Sequence, residues 1–429
     1  MTTDEIRSKF LDFFKSKGHR VVASDSLVPK DDPTVLFTTA GKQQFKPQFL
    51  GRDLTYRLAA TCQKCLRTDD LDVVGKTDFH HTFFEMLGNF SFGDYFKEDA
   101  IAWAWEFLTK EMKLPKEKLW VSVYKDDDEA YGIWSKDIKV PANRIIKLGD
   151  KSNFWPSNAK LNGPNGPCGP CSEIFYDYGV NPKCPNGAKC DPDCSCGRFS
   201  EVWNLVFTQF NRKDGGILEP LPAKNIDTGM GLERLTAVVQ GKFSNYGTDN
   251  FLEIINSIRK ITENNAQFSQ TDTRIVADHI RAVVMAIADG VVPSNEGRGY
   301  VIRKLIVDSV DLMIRAGVTN PAVHSLVDVV VKVMRQPYPE LVTKAEEIKT
   351  AVKRVEEGFI RIRKERIPEL KEHILKRRND VQFLGDMFFL YRDTHGLTLD
   401  TILGVADEAG ISPVDTAEAS VIFKKKMEE

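Results

Sequence analysis

Residues 80–96 read HHTFFEMLGNFSFGDYF, and the fold is decided here. Aromatic and β-branched side chains fill the run, and Gly88 and Gly93 punctuate it, as in a strand that ends in a turn. Residues 56–67, YRLAATCQKCLR, read as a second strand stopping at the basic Arg67. A polar loop joins the two, so an antiparallel pair is expected. Further out, LWVSVY (119–124) and FSEVWNLVFTQFNR (199–212) read as buried strands. Helical periodicity marks residues 97–113 and residues 4–16, where Ile6, Phe10, Phe13 and Phe14 share a face. IDTGMGLERLTAVVQG (226–241) begins as a strand or turn and becomes a helix. Beyond about residue 245 helical periodicity dominates, as in DTRIVADHIRAVVMAIADG (272–290) and RGYVIRKLIVDSVDLMIRAG (298–317). The expected class is α+β, with a mixed domain at 1–245 and a mainly helical one at 246–429.

Composition narrows the options. The chain has 429 residues, 42% apolar and 28% charged, with a net charge of -2, which excludes a disordered or fibrous protein. No apolar run reaches the ~18 residues of a membrane span. The N-terminus, MTTDEIRSKFLDFF, lacks the basic and apolar regions of a signal peptide, so a cytoplasmic location is expected.

Eight cysteines lie at 62, 65, 168, 171, 184, 190, 194 and 196. The last four sit in NPKCPNGAKCDPDCSCGRF, a turn-rich segment at about 180–198 with little apolar content. Cys184, Cys190, Cys194 and Cys196 suit a tetrahedral structural zinc site, whose binding would supply ordering energy this loop lacks. The spacing is not that of a standard zinc finger, and free thiols remain the other reading.

Candidate site residues are scattered. Arg67 ends a strand, Phe83 and Phe84 open the next, and Gly229, Gly231 and Arg234 lie in DTGMGLERL. Arginines offer planar forks to phosphate oxygens, an aromatic face stacks on a base, and glycines let a ligand approach the backbone. Together they suit a nucleotide; taken singly, each reads as surface charge, core or turn. The glycines do not make a dinucleotide fingerprint, and no phosphate-binding GxxxxGK[ST] loop occurs.

In its order of motifs the chain resembles the class II aminoacyl-tRNA synthetases, and within them the alanyl family. The likeness is carried by SKGHRVVASDSLVPKDDPTVLFTTAG (16–41), DFHHTFFEMLGNFSFGDYFK (78–97), NGPCGPCSEIFYD (165–177), EVWNLVFTQFNR (201–212), NIDTGMGLERL (225–235) and DGVVPSNEGRGYVIR (289–303). It implies an antiparallel sheet flanked by helices, then a helical domain reading the acceptor stem of tRNA(Ala). It implies activation of alanine by ATP and transfer to tRNA. Arg67 would contact the α-phosphate and the alanine carboxylate. Phe84, or failing it Phe83, would stack on adenine, with Arg234 on the other face. Asp227 would hold the ammonium, while Trp155, Val206 and Asn211 would line the alanine pocket. Glu173 and Asp177 are candidate Mg²⁺ ligands. The GPCGPC stretch would be a loop near the site. Asn295 would read the third base pair of the acceptor stem, with Asp393 as its acidic partner. Residues 353–378 carry ten Lys/Arg against five Asp/Glu, a stripe that could follow phosphates or be a solvated helix face.

The chain also departs from that pattern. Its loop RTDDLDVVG (67–75) is short and lacks a lysine usual there. Asp308 and Asp311 replace arginines of a basic helix, so weaker phosphate contacts are expected. None of the histidines at 19, 80, 81, 279, 324, 373 and 395 forms HxxxH, and no cysteine follows 196, so editing in cis is not expected. A monomer is expected. The other reading of the altered loop and helix is an adenylating enzyme that passes its amino acid to a non-tRNA acceptor.

Overall fold

The computed structural model describes residues 1–29, 35–161, 163–182, 184–263, 265 and 268–428. Two compact units divide the chain. One comprises Met1–Val73 and Thr77–Leu252, the other Val74–Lys76 and Glu253–Glu429.

The first unit is built on a mostly antiparallel sheet. Its strands are β1 (Arg20–Val21), β2 (Leu58–Leu66), β3 (Phe83–Phe92), β4 (Leu119–Tyr124), β5 (Ile145–Leu148), β6 (Phe154–Trp155), β7 (Gly166–Asp177), β8 (Phe199–Arg212) and β9 (Leu218–Gly231). They lie in the order β1-β2-β3-β9-β8-β7-β4-β5, with β6 paired to β7. β1 runs parallel to β2 and β4 parallel to β5; the other pairs are antiparallel. The β2–β3 pairing runs from Leu58↔Ser91 to Leu66↔Phe83, so Arg67 leaves the sheet where β3 enters it.

Helices α1 (Thr3–Ser16), α2 (Lys46–Phe49), α3 (Lys97–Glu106), α4 (Asp128–Gly132) and α5 (Leu232–Val239) complete this unit. Thr2 and Glu5 form a reciprocal capping box that starts α1. The apolar stripe of α1 then faces the sheet: the Phe10 and Phe14 rings lie 5.8 and 6.2 Å from Trp203 of β8. Burying each such ring contributes about 2–3 kcal/mol. Arg7, on the same helix, donates from Nε and Nη2 to Glu85 of β3 at 2.9 and 2.7 Å, so a buried ion pair ties α1 to the strand pair.

One expectation needs correction. The GPCGPC stretch is not a loop; it is the first half of β7. Two prolines and two glycines argue against a strand on composition. The strand absorbs them with a register shift against β8 between Cys168 and Cys171. Gly169 is required there, because a Cβ would meet the Phe207 carbonyl oxygen at 2.1 Å.

Helix α6 (Asp249–Ile261) contains the division between units. The second unit holds α7 (Gln270–Ala288), α8 (Gly297–Arg315), α9 (Leu326–Met334), α10 (Glu340–Lys376), α11 (Val381–Asp393), α12 (Leu399–Glu408) and α13 (Pro413–Glu428). Leu370, Ile374, Leu384, Phe388, Ile402 and Phe423 are among the side chains of its distal core. Asp311 of α8 bears on the weaker phosphate contacts expected there. It is 1% exposed and cannot face a phosphate. Its carboxylate accepts from Arg363 of α10 and from Thr398 and Thr401 at 2.7 and 2.6 Å, locking α8, α10 and α12 together. Asp308 pairs with Lys304 one turn away.

Candidate active site

A cavity of about 230 Å³ opens on the sheet of the first unit. Strand alternation selects what faces it. On β3, Phe84 and Met86 line the cavity. Phe83 and Glu85 point away from it and are buried. On β9, Asp227, Gly229 and Gly231 line it at a spacing of two. Gly229 leaves room there: a Cβ would sit 3.1 Å from the Met86 sulfur. Helix α5 then starts and delivers Arg234, while β6 delivers Trp155 and β8 delivers Val206 and Asn204.

Arg67 is held at the cavity wall. Its Nε donates to the Thr39 carbonyl at 3.1 Å, and its guanidinium lies 5.0 Å from the Phe84 ring centre. Arg234 mirrors it: its guanidinium lies 4.9 Å from the Phe79 ring, and Nη1 is 3.3 Å from Glu201 Oε2. Glu201 stands beside Glu173, which accepts from Asn204 Nδ2 at 3.0 Å. Burial pushes the Glu173 carboxyl well above its ordinary range, and the charge on Glu201 pushes it further. Asp227 is also buried and raised by burial, while Lys42, 3.5 Å away, opposes that shift. One concavity thus brings together three cations, Lys42, Arg67 and Arg234, and carboxylates that include Glu173, Glu201 and Asp227.

Of the residues singled out from sequence, Arg67, Phe84, Trp155, Glu173, Val206, Asp227, Gly229, Gly231 and Arg234 therefore meet in one cavity. Others lie elsewhere. Phe83 is core. Asn211 sits near the far end of β8, paired with Pro167 and Glu219. Asp177 is committed to Arg198 by two bonds of 2.8 and 2.7 Å; despite burial, which raises it, these hold its carboxyl below the ordinary value. Asn295, just before α8, and Asp393, at the end of α11, are exposed on the second unit.

Lys42, Phe79, Glu201 and Asn204 line the cavity without having been singled out. Asn204 follows from alternation with Val206. Glu201 does not, because β8 bulges: Trp203 faces Ile174, but Glu201 faces Phe175, so one extra residue shifts the parity.

The four late cysteines do not line this cavity, and all four of their sulfurs lie within 4.8 Å of one another. Cys184 and Cys194 are 3.7 Å apart and Cys190 and Cys196 3.4 Å, too long for disulfides. A zinc ion with bonds of about 2.3 Å needs sulfurs about 3.8 Å apart, so the donor set fits one. The CxxC pairs behave otherwise: Cys62 and Cys65 are buried in β2, Cys168 and Cys171 in β7.

A family model described as "tRNA synthetases class II (A)" matches residues 5–429. An alanine–tRNA ligase of Thermotoga sp. (strain RQ2) is 48% identical over 433 residues, covering 100% of this chain and 49% of the relative. Those of Petrotoga mobilis and Elusimicrobium minutum are 46% and 48% identical, covering 100% and 96% of this chain and 48% and 47% of theirs. The chain spans about half the length of the curated relatives it matches. A solved apo histidyl-tRNA synthetase of S. aureus is a loose likeness, with a TM-score of 0.34 and 10% identity over 56% of this chain and 68% of that one. No described helix is long and apolar enough to cross a membrane.

Proposed function

The chain belongs to the class II tRNA synthetases, and from that premise we propose that it activates alanine with ATP and transfers it to the 3′ end of tRNA(Ala) in the cytoplasm. One observation carries the proposal: Arg67, Phe84, Asp227 and Arg234, far apart in sequence, line a single cavity.

Attack of the alanine carboxylate on the α-phosphorus brings two anions together, so it needs charge neutralisation and alignment more than covalent help. Arg67, whose guanidinium lies 5.0 Å from the Phe84 ring centre, would bridge both anions with its fork and stabilise charge growing in the transition state. Phe84 and Arg234 take opposite faces of adenine. Asp227 takes the α-ammonium, and Trp155 with Val206 closes a space suited to a methyl group. Such a pocket separates alanine from serine or glycine by only ~10–200-fold.

Glu173 and Glu201 would hold Mg²⁺, since two adjacent carboxylates, one buried, favour a divalent cation between them. Magnesium would neutralise phosphate charge when bound. Asp177, held by Arg198, has no free carboxylate to offer. The cysteine cluster would take a structural zinc. The helical unit, with Asn295 and Asp393, would read the acceptor stem, and its basic stripe on α10 would follow phosphates.

The test is alanine-dependent ATP–pyrophosphate exchange beside tRNA charging, with Arg67→Ala as control. Both activities in the wild type, with exchange down by about 10³-fold in Arg67→Ala, are expected. Absence of exchange with any amino acid would overturn the proposal. Exchange without charging would redirect it to a non-tRNA acceptor.

A further inference from the structure

The cation nearest Asp227 is not a substrate group but a residue of the chain. Lys42 Nζ lies 3.5 Å from Asp227 Oδ2 and 3.5 Å from the Pro167 carbonyl oxygen. Its backbone is pinned: Gln43 Oε1 accepts the Thr39 and Ala40 N–H groups, and Gly41 N–H points at the Met86 sulfur at 3.3 Å. Its side chain is less constrained, because both contacts are long for an ammonium and the stem is flexible. Lys42 also lines a second cavity, of about 590 Å³, alongside Asp25, Thr38, Gln43 and Pro167. It therefore stands on the wall between two spaces.

A buried carboxylate requires a partner. Asp227 has two oxygens and sits on β9, paired on both sides by β3 and β8, so two ammonium groups would contest it. Resting on the alanine reading above, we propose that Lys42 is a resident competitor of the amino-acid ammonium for Asp227. It occupies Asp227 when no amino acid is bound and swings toward the second cavity when one is, meeting Asp25 on that side. A resident competitor lowers the fraction of enzyme ready to bind and raises the apparent KM by the same factor. A small carboxylic acid without an ammonium does not contest Asp227, so its binding gains nothing when Lys42 is removed.

The experiment measures alanine-dependent exchange in the wild type, Lys42→Met, Lys42→Gln and Lys42→Arg, with propionate as a competitive inhibitor lacking the ammonium. Lys42→Met and Lys42→Gln are expected to lower the KM for alanine by about fivefold or more. The kcat and the KM for ATP should stay within about twofold, and the Ki for propionate should hold or rise. Lys42→Arg should keep the wild-type KM. An unchanged or higher KM for alanine in both neutral variants would overturn the proposal, the latter making Lys42 a holder of substrate. A parallel fall in the alanine KM and the propionate Ki would overturn it too, since that reports a reshaped pocket. No exchange in the wild type would instead sink the alanine reading itself, and this inference with it.

Discussion

Asp227 of the first compact unit and Asp311 of the second are both buried, and the two are satisfied to different degrees. Asp311 accepts from Arg363, Thr398 and Thr401 and has Arg315 within 3.8 Å. Among the described residues, Asp227 has one polar partner, Lys42, at 3.5 Å. The first arrangement saturates a carboxylate, so its charge holds helices in place. The second leaves lone pairs facing a cavity, where a ligand can use them. Burial alone would rank the two alike; the count and quality of partners separates structure from chemistry.

The largest effect should come from neutralising the unsaturated acid. Asp227→Asn is expected to lower kcat/KM for alanine by about 10³-fold, about 4 kcal/mol, without lowering thermal stability. Steady-state exchange and a melting curve check both halves. A large loss of stability with normal kinetics would erase the contrast. Asp311→Ala should do the reverse. It leaves the Arg363 guanidinium partly buried without its carboxylate, which costs about 3 kcal/mol. Denaturant titration should show that loss, while exchange per folded molecule is unchanged. The pair Asp311→Leu with Arg363→Met should recover part of it, since removing both charges removes the desolvation cost.

The same contrast explains what could be read from sequence. The β2–β3 pair was legible because its aromatic and β-branched content agrees with its place in the sheet. The mixed sheet followed by helices was legible for the same reason. β7 was not, because its prolines and glycines signal a loop locally; only the close passage of Phe207 over Gly169 makes glycine the fitting residue in a strand. Glu201 was hidden by a bulge that a period of two cannot anticipate. The burial of Asp311 was not legible, because a charged residue on a helix reads as solvent-facing until its partners on α10 and α12 are known. The scattered residues of the cavity were connected by resemblance; spacing alone left Arg67 a surface charge and Phe84 a core ring.

A smaller effect would sharpen the comparison at the cysteine cluster, a third kind of polar cluster. Its sulfurs face one another, neither saturated by protein donors nor open to substrate. Purified protein is expected to carry about one zinc per chain. Cys190→Ser should lose the metal and lower the melting temperature by a few degrees, with exchange reduced less than about twofold. Metal-free protein with all four thiols titrating freely would remove the site.

The smallest expected effect tests whether the logic extends to apolar neighbours. Phe83 and Phe84 are adjacent in sequence and opposite in β3. Phe83 is 1% exposed and packed; Phe84 presents its ring to Arg67 and the cavity. Phe84→Leu keeps bulk and removes the π-face, so it should raise the KM for ATP by about fivefold, or about 1 kcal/mol of stacking, with little change in melting. Phe83→Leu should leave the KM for ATP unchanged and lower stability by about 1 kcal/mol, since repacking a buried ring leaves a partial void. If both variants changed the KM for ATP alike, β3 would not be sorting its side chains by alternation, and the assignment of Phe84 to the base would fall with it.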